Sequence, residues 1–114
     1  MNHVKKYIQY NIELINIKYV EKDFYYIGRD NVQYGLCESD FHNPYILINE
    51  TERKEVYEKY KNHIRTSPEL IKKLPVLIGK TLGCYCLPKI CHGEALVELL
   101  EEFYPELARF SFNI

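Results

Sequence analysis

Residues 79–103 read "GKTLGCYCLPKICHGEALVELLEEF" and lay out a strand, a loop and a helix in succession. "KTLGCYC" (80–86) reads as a short strand. "HGEALVELLEEF" (92–103) repeats its apolar residues at helical spacing, which predicts a helix that buries Ala95, Leu96, Leu99 and Leu100. A strand, a proline-containing loop and a helix in direct succession belong to a domain with helices packed on a sheet.

Working outward, "IELINIKYV" (12–20) alternates apolar and polar residues and is rich in β-branched side chains, so it predicts a strand. "DFYYIGR" (23–29) predicts a second strand ending at Gly28-Arg29. The segment 30–49 is irregular, with Gly35 and Pro44 among several Asn and Asp residues, and a loop of that length in a compact domain is more often functional than idle. "NETERKEVYEKYKNHIRT" (49–66) predicts an amphipathic helix with Val56, Tyr57, Tyr60 and Ile64 on one face and Asn49 or Thr51 as cap. "SPELIKKL" opens a second helix, with Ser67 at the N-cap and Pro68 behind it, and Pro75 ends or bends it. The tail "YPELARFSFNI" is aromatic enough to be expected to pack.

The order β-β-α-α-β-α predicts a single α/β domain over 1–114, Rossmann-like, in two or three layers around a short mixed or parallel sheet. Ligands of such sheets bind beyond the carboxyl ends of the strands. Both Gly28-Arg29 and the cysteine loop fall at such ends, which is the main argument for a site.

Composition narrows the class. Apolar residues make up 46% of the chain and the formal net charge is -1, so a soluble globular domain is expected, without the positive excess of a dedicated DNA-binding domain. No stretch approaches the roughly 20 apolar residues of a membrane span, so no membrane partner is expected. The first twenty residues lack the apolar core and cleavage site of a secretory leader. Of four cysteines, three crowd together and Cys37 lies far upstream, which is not a disulfide framework; reduced thiols in a cytoplasmic setting are expected.

Cys84, Cys86, Cys91 and His92 admit three chemistries. As zinc ligands they would all come from one local turn, whereas structural sites pair ligands from distant segments; with Cys84 drawn into the strand, no stoichiometric zinc and no other cofactor are expected. As a thiol catalyst, Cys91 or Cys86 would be the nucleophile, its thiolate favoured by the start of a helix, with His92 as acid or base. As an anion site, the helix opening at "CHGEAL" would offer backbone N–H groups, with Gly93 permitting close approach, while Arg29 and Arg53 supply charge. His42 and Asn43 are otherwise turn formers in "HNP".

These motifs, taken in order, resemble a family of small α/β domains known as domain of unknown function 4326, found in bacteria, phages and large DNA viruses. The residues that carry the resemblance are "YIGR" (26–29), "HNPY" (42–45), Arg53 and "GKTLGCYCLPKICHG" (79–93), within a span of about 24–103. His42 stands where the family usually has Gly, and Tyr85 where it has Trp. The resemblance implies a fold and a site, not a substrate. The expected function is therefore binding of a nucleotide or other phosphate-bearing small ligand by Gly28, Arg29, Asn43, Arg53 and Gly93, with Cys86, Cys91 and His92 as catalytic groups. The alternatives are a non-catalytic module that sequesters nucleotides or binds nucleic-acid ends, and a structural zinc domain.

Overall fold

The structure is a computed structural model that describes residues 3–87 and 89–108. Four strands, β1 (Val4–Tyr7), β2 (Ile12–Asn16), β3 (Tyr25–Tyr26) and β4 (Thr81–Cys84), form one mixed sheet in the order β1-β2-β4-β3. The helices are α1 (Arg53–Arg65), α2 (Pro68–Lys73) and α3 (His92–Phe103). The α/β class is as expected, and three differences have local causes.

The first is β1, which the sequence reading missed. It pairs antiparallel with β2, Val4 opposite Ile15 and Tyr7 opposite Ile12. Its central Lys5 and Lys6 are exposed, as suits an edge strand, and that polarity hid it. A 3-10 turn (Ile8–Tyr10) and Asn11, left-handed at φ 51°, reverse the chain.

The second is the length of β2. The predicted strand ran to residue 20, but the strand stops at Asn16. Asn16 Oδ1 accepts the Lys18 N–H at 3.0 Å, and the Asn16 carbonyl accepts from the Tyr19 and Val20 N–H groups. These local bonds turn the chain out of the ladder. The other two predicted strands are shorter as well, closing at Tyr26 and Cys84.

The third concerns connectivity. β2 and β3 both run parallel to β4, which lies between them. The link from β2 to β3 is only the segment 17–24, with no helix, so that crossover is not the helical one of a doubly wound sheet. Instead Phe24 and Ile17 of this link lie over Gly83 of β4. A Cβ at Gly83 would stand 2.5 Å from the Phe24 ring and 2.7 Å from an Ile17 methyl, so only glycine lets the link cross there.

The opposite face carries the helices. Ile12, Leu14, Leu82 and Cys84 of the sheet share one core with Tyr60 and Ile64 of α1 and Ala95, Leu96, Leu99 and Leu100 of α3. Burying each such leucine contributes about 1.5–3 kcal/mol, and the face predicted for α3 is the one that is buried. α1 is preceded by a 3-10 turn (Glu50–Glu52) capped by Asn49, whose side chain accepts from the Thr51 N–H. Ser67 caps α2 as predicted, and α2 ends at Lys73, where a 3-10 turn (Leu74–Leu77) containing Pro75 takes over. Of the predicted packing of the tail, Tyr104 and Ala108 pack against the core; residues 109–114 lie outside the described residues.

Candidate functional site

Because β2, β3 and β4 are parallel, their carboxyl ends open on one side of the sheet, and the start of α3 joins them there. "YIGR" and "GCYC" are thus neighbours, Tyr25 opposite Leu82 and Tyr26 opposite Gly83. A cavity of about 430 Å³ lies over these ends, within the range of small-molecule sites. Gly28, Arg29, Asn43, Arg53, Cys86 and His92 all line it, so six of the eight residues picked from sequence converge. The long 30–49 loop supplies one wall through Asn43, Tyr45 and Ile46, and Tyr26, Tyr57 and Tyr85 supply aromatic surface.

The two that do not line it are Cys91 and Gly93. Cys91 is fully buried and serves as the N-cap of α3: its sulfur accepts the Gly93 N–H at 3.3 Å, and its own N–H is taken by the Glu94 carboxylate at 3.2 Å. Gly93 is packed so tightly that a Cβ there would come within 2.9 Å of Leu14. The start of α3 therefore satisfies its own N–H groups with a capping box and places a carboxylate beside them. The anion cradle expected at "CHGEAL" is already filled by the chain.

The arginines are partly committed too. Arg29 donates from Nε to the Asn43 carbonyl (2.7 Å) and from Nη2 to the Tyr45 carbonyl (2.6 Å), so it shapes the loop as much as it faces the cavity. Arg53 holds Glu50 through two bonds, at 2.8 and 3.0 Å, and the Ile90 carbonyl at 3.1 Å.

The chemistry centres on sulfur. The Sγ atoms of Cys84, Cys86 and Cys91 all lie within 4.8 Å of one another, with Cys84 and Cys91 2.8 Å apart. Cys84 ends β4 and Cys91 caps α3, so both are buried, whereas Cys86 lies past the end of the strand and is half-buried. The neighbouring thiols of Cys84 and then Cys91, with His92 beside them, hold the Cys86 thiol well below its ordinary value against the opposing effect of burial. The same contacts push Cys84 up to about 12, first through Cys86, and raise Cys91, first through Cys84. Cys84 and Cys86 both line the cavity, and Cys86, the less buried of the two, is the one that ionises more readily.

His92 is fixed by the fold. Its Nε2 is 2.7 Å from the Ile27 carbonyl, which only accepts, so Nε2 carries the proton and donates. Nδ1 is then the ring nitrogen left for Cys86. The ring stands edge-on to Tyr60, 5.0 Å between centroids, and Tyr60 in turn donates to the Phe41 carbonyl at the base of the long loop.

Sequence reading passed over several residues here. Asn16, buried at the end of β2, donates through Nδ2 to the carbonyls of Tyr85 (3.1 Å) and Leu87 (2.8 Å), which flank Cys86. A second cavity, of about 360 Å³, adjoins the first at Arg53, Tyr85 and Cys86 and adds His3, Lys18, Tyr19 and Lys89. Among the described residues its lining contains three cationic side chains and no carboxylate, although Glu50 beside it bridges Arg53 and Lys89. His3 Nδ1 is buried there with no hydrogen-bond partner among the described residues. Single lysines at loop positions carry no pattern, and only the polar Asn16 at the end of an apolar strand was a readable signal.

With this geometry in view, comparison with known proteins is informative about kinship and silent about chemistry. The family model described as Domain of unknown function (DUF4326) matches residues 15–102. An uncharacterized protein of Acanthamoeba polyphaga mimivirus is 33% identical over 98 residues, covering 77% of this chain and 72% of that protein. No solved structure matches. No helix among the described residues is long and apolar enough to cross a membrane.

Proposed function

We propose that this chain, which belongs to the family described as domain of unknown function DUF4326, binds a nucleotide-type ligand across its two adjoining cavities and presents the Cys86 thiolate to it as nucleophile. The single observation that carries this reading is the position of Cys86. It sits where an aromatic cavity, walled by Tyr26, Tyr57 and Tyr85, meets a basic one lined by Lys18, Arg53 and Lys89. A planar base suits the first, since tyrosine faces stack on rings. A phosphate suits the second, where Lys18, Arg53 and Lys89 offer charge and hydrogen bonds. A ligand with both parts would pass over the sulfur.

In this reading Arg29 is a positioning residue that holds the 43–45 backbone as a wall. His92 is the acid/base: Nδ1 takes the thiol proton, while the Ile27 carbonyl keeps Nε2–H in place. Cys84 and Cys91 stabilise the Cys86 thiolate by donating to it. Asn43, in the loop, completes the wall.

Calorimetric titration of the full chain tests the reading with three probes: a ribonucleoside monophosphate panel, the corresponding nucleosides, and inorganic phosphate. At least one monophosphate is expected to bind more tightly than its nucleoside and than phosphate alone. Lys18→Ala should weaken that monophosphate while leaving the nucleoside unchanged. Failure of every monophosphate to bind at millimolar concentration overturns the proposal. Binding that survives in Cys86→Ser, with no product formed by either protein, would leave a sequestering module without chemistry.

A further inference from the structure

We infer that the Cys84, Cys86 and Cys91 sulfurs form a three-thiolate site for one thiophilic d10 cation of the Zn2+, Cd2+ or Cu+ class. The inference does not rest on the nucleotide reading. The expectation that no zinc binds assumed that Cys84 would be drawn away into its strand. Cys84 does lie in the strand, as the last residue of β4, but on the face that packs against α3, where its thiol meets the other two.

The geometry is close to what a metal requires. Thiolates at about 2.3 Å from zinc lie about 3.8 Å from one another in a tetrahedral arrangement. The three sulfurs already lie within 4.8 Å, and Cys84 and Cys91, at 2.8 Å, need to part by about 1 Å. An all-sulfur set selects soft cations over magnesium or calcium. Two of the ligands are held by regular structure, the end of β4 and the N-cap of α3, so the site is built before any metal arrives. The Gly93 N–H bond to Cys91 Sγ is the kind of support that ligating thiolates receive from their surroundings.

Charge balance fits as well. Three thiolates and a divalent cation carry a net charge of about -1. Arg53, whose guanidinium lies against Cys86 while also pairing with Glu50, offsets part of it. Because Cys86 faces the cavity while Cys84 and Cys91 are buried, the fourth coordination position opens toward the cavity, as in metal sites that keep a place for water or substrate. A metal there engages the Cys86 sulfur, so metal occupancy and attack by free thiol exclude one another.

The test uses the reduced full chain, stripped with a chelator and titrated with Cd2+ alone, reading thiolate-to-cadmium absorption in the near ultraviolet. One equivalent is expected to bind, with unchanged stoichiometry in Cys37→Ser. Cys86→Ser, at the half-exposed position, should bind more weakly by more than the roughly 10–100-fold that losing a ligand's hydrogen-bond partner costs. Absence of the absorption in the wild-type chain, or full-affinity binding by folded Cys86→Ser, overturns the inference. Should Cys86→Ser fail to fold, alkylation of the wild-type chain decides: Cd2+ should protect Cys86 and leave Cys37 reactive, and equal labelling of both refutes the site. No nucleotide enters these measurements, so their failure and that of the ligand reading are distinguishable.

Discussion

Asn16→Ala should be among the most damaging single changes in the chain, although residue 16 touches neither of the predicted motifs in sequence. Its side chain is almost fully buried and makes three bonds: Nδ2 to the Tyr85 and Leu87 carbonyls, and Oδ1 from the Lys18 N–H. The Leu87 bond is buried and the other two are partly so. An unsatisfied buried group costs about 1–3 kcal/mol, and less where water reaches it. One full penalty and two reduced ones give about 2–4 kcal/mol. For a domain of this size each kcal/mol moves the melting temperature by about 4–8 °C, so a fall of about 10 °C or more is expected. Urea unfolding followed by circular dichroism, with unchanged slope, measures the loss directly. Asn16→Asp keeps the volume and the Lys18 bond but turns a carboxylate oxygen toward two carbonyls, and should cost at least as much. The same variants should raise the alkylation rate of Cys86, because the carbonyls Asn16 holds lie on either side of it. A loss below about 0.5 kcal/mol in Asn16→Ala, the range of an ordinary surface substitution, would refute the claim that Asn16 pins the cysteine loop to β2.

Gly83→Ala is expected to destabilise by about 1–3 kcal/mol through overpacking, since its Cβ falls on the Phe24 ring and the Ile17 branch; a neutral effect in thermal melts would mean the 17–24 link does not cross β4 as described. Glu13 supplies a pH test. The hydrogen bond from Lys22, with Lys6 and Thr81 adding to it, depresses its carboxyl below the ordinary value. A depressed folded pKa contributes stability above the ordinary carboxylate value of about 4.3, lost as pH falls through the folded value. Urea midpoints of the wild-type chain should therefore fall more steeply below about pH 4.3 than those of Glu13→Gln; parallel curves would contradict it.

How much was legible follows from where each signal is written. α3 and the face it buries were readable because Ala95, Leu96, Leu99 and Leu100 repeat at helical spacing and nothing tertiary opposes them. The convergence of Gly28-Arg29 with the cysteine loop was readable from strand order alone. β1 was not, because an edge strand with Lys5 and Lys6 outward has no apolar alternation to detect. The end of β2 was hidden because Asn16 turns the chain through its side chain, a three-dimensional choice. Cys91 was expected at the cavity, since a helix N-cap is ordinarily reachable; here the capping box and the core bury it. The basic cavity was invisible because Lys18, Arg53 and Lys89 come from three separated segments.

The most direct measurement of the central claim is a crystal structure of the chain with the tightest-binding ribonucleoside monophosphate. The base is expected against Tyr26 and Tyr57, the phosphate among Lys18, Arg53 and Lys89, and the Cys86 sulfur in contact with the part between them. A nucleotide bound elsewhere, such as the cavity between Lys6, Lys22 and Lys80, with the Cys86 cavities empty, would contradict it.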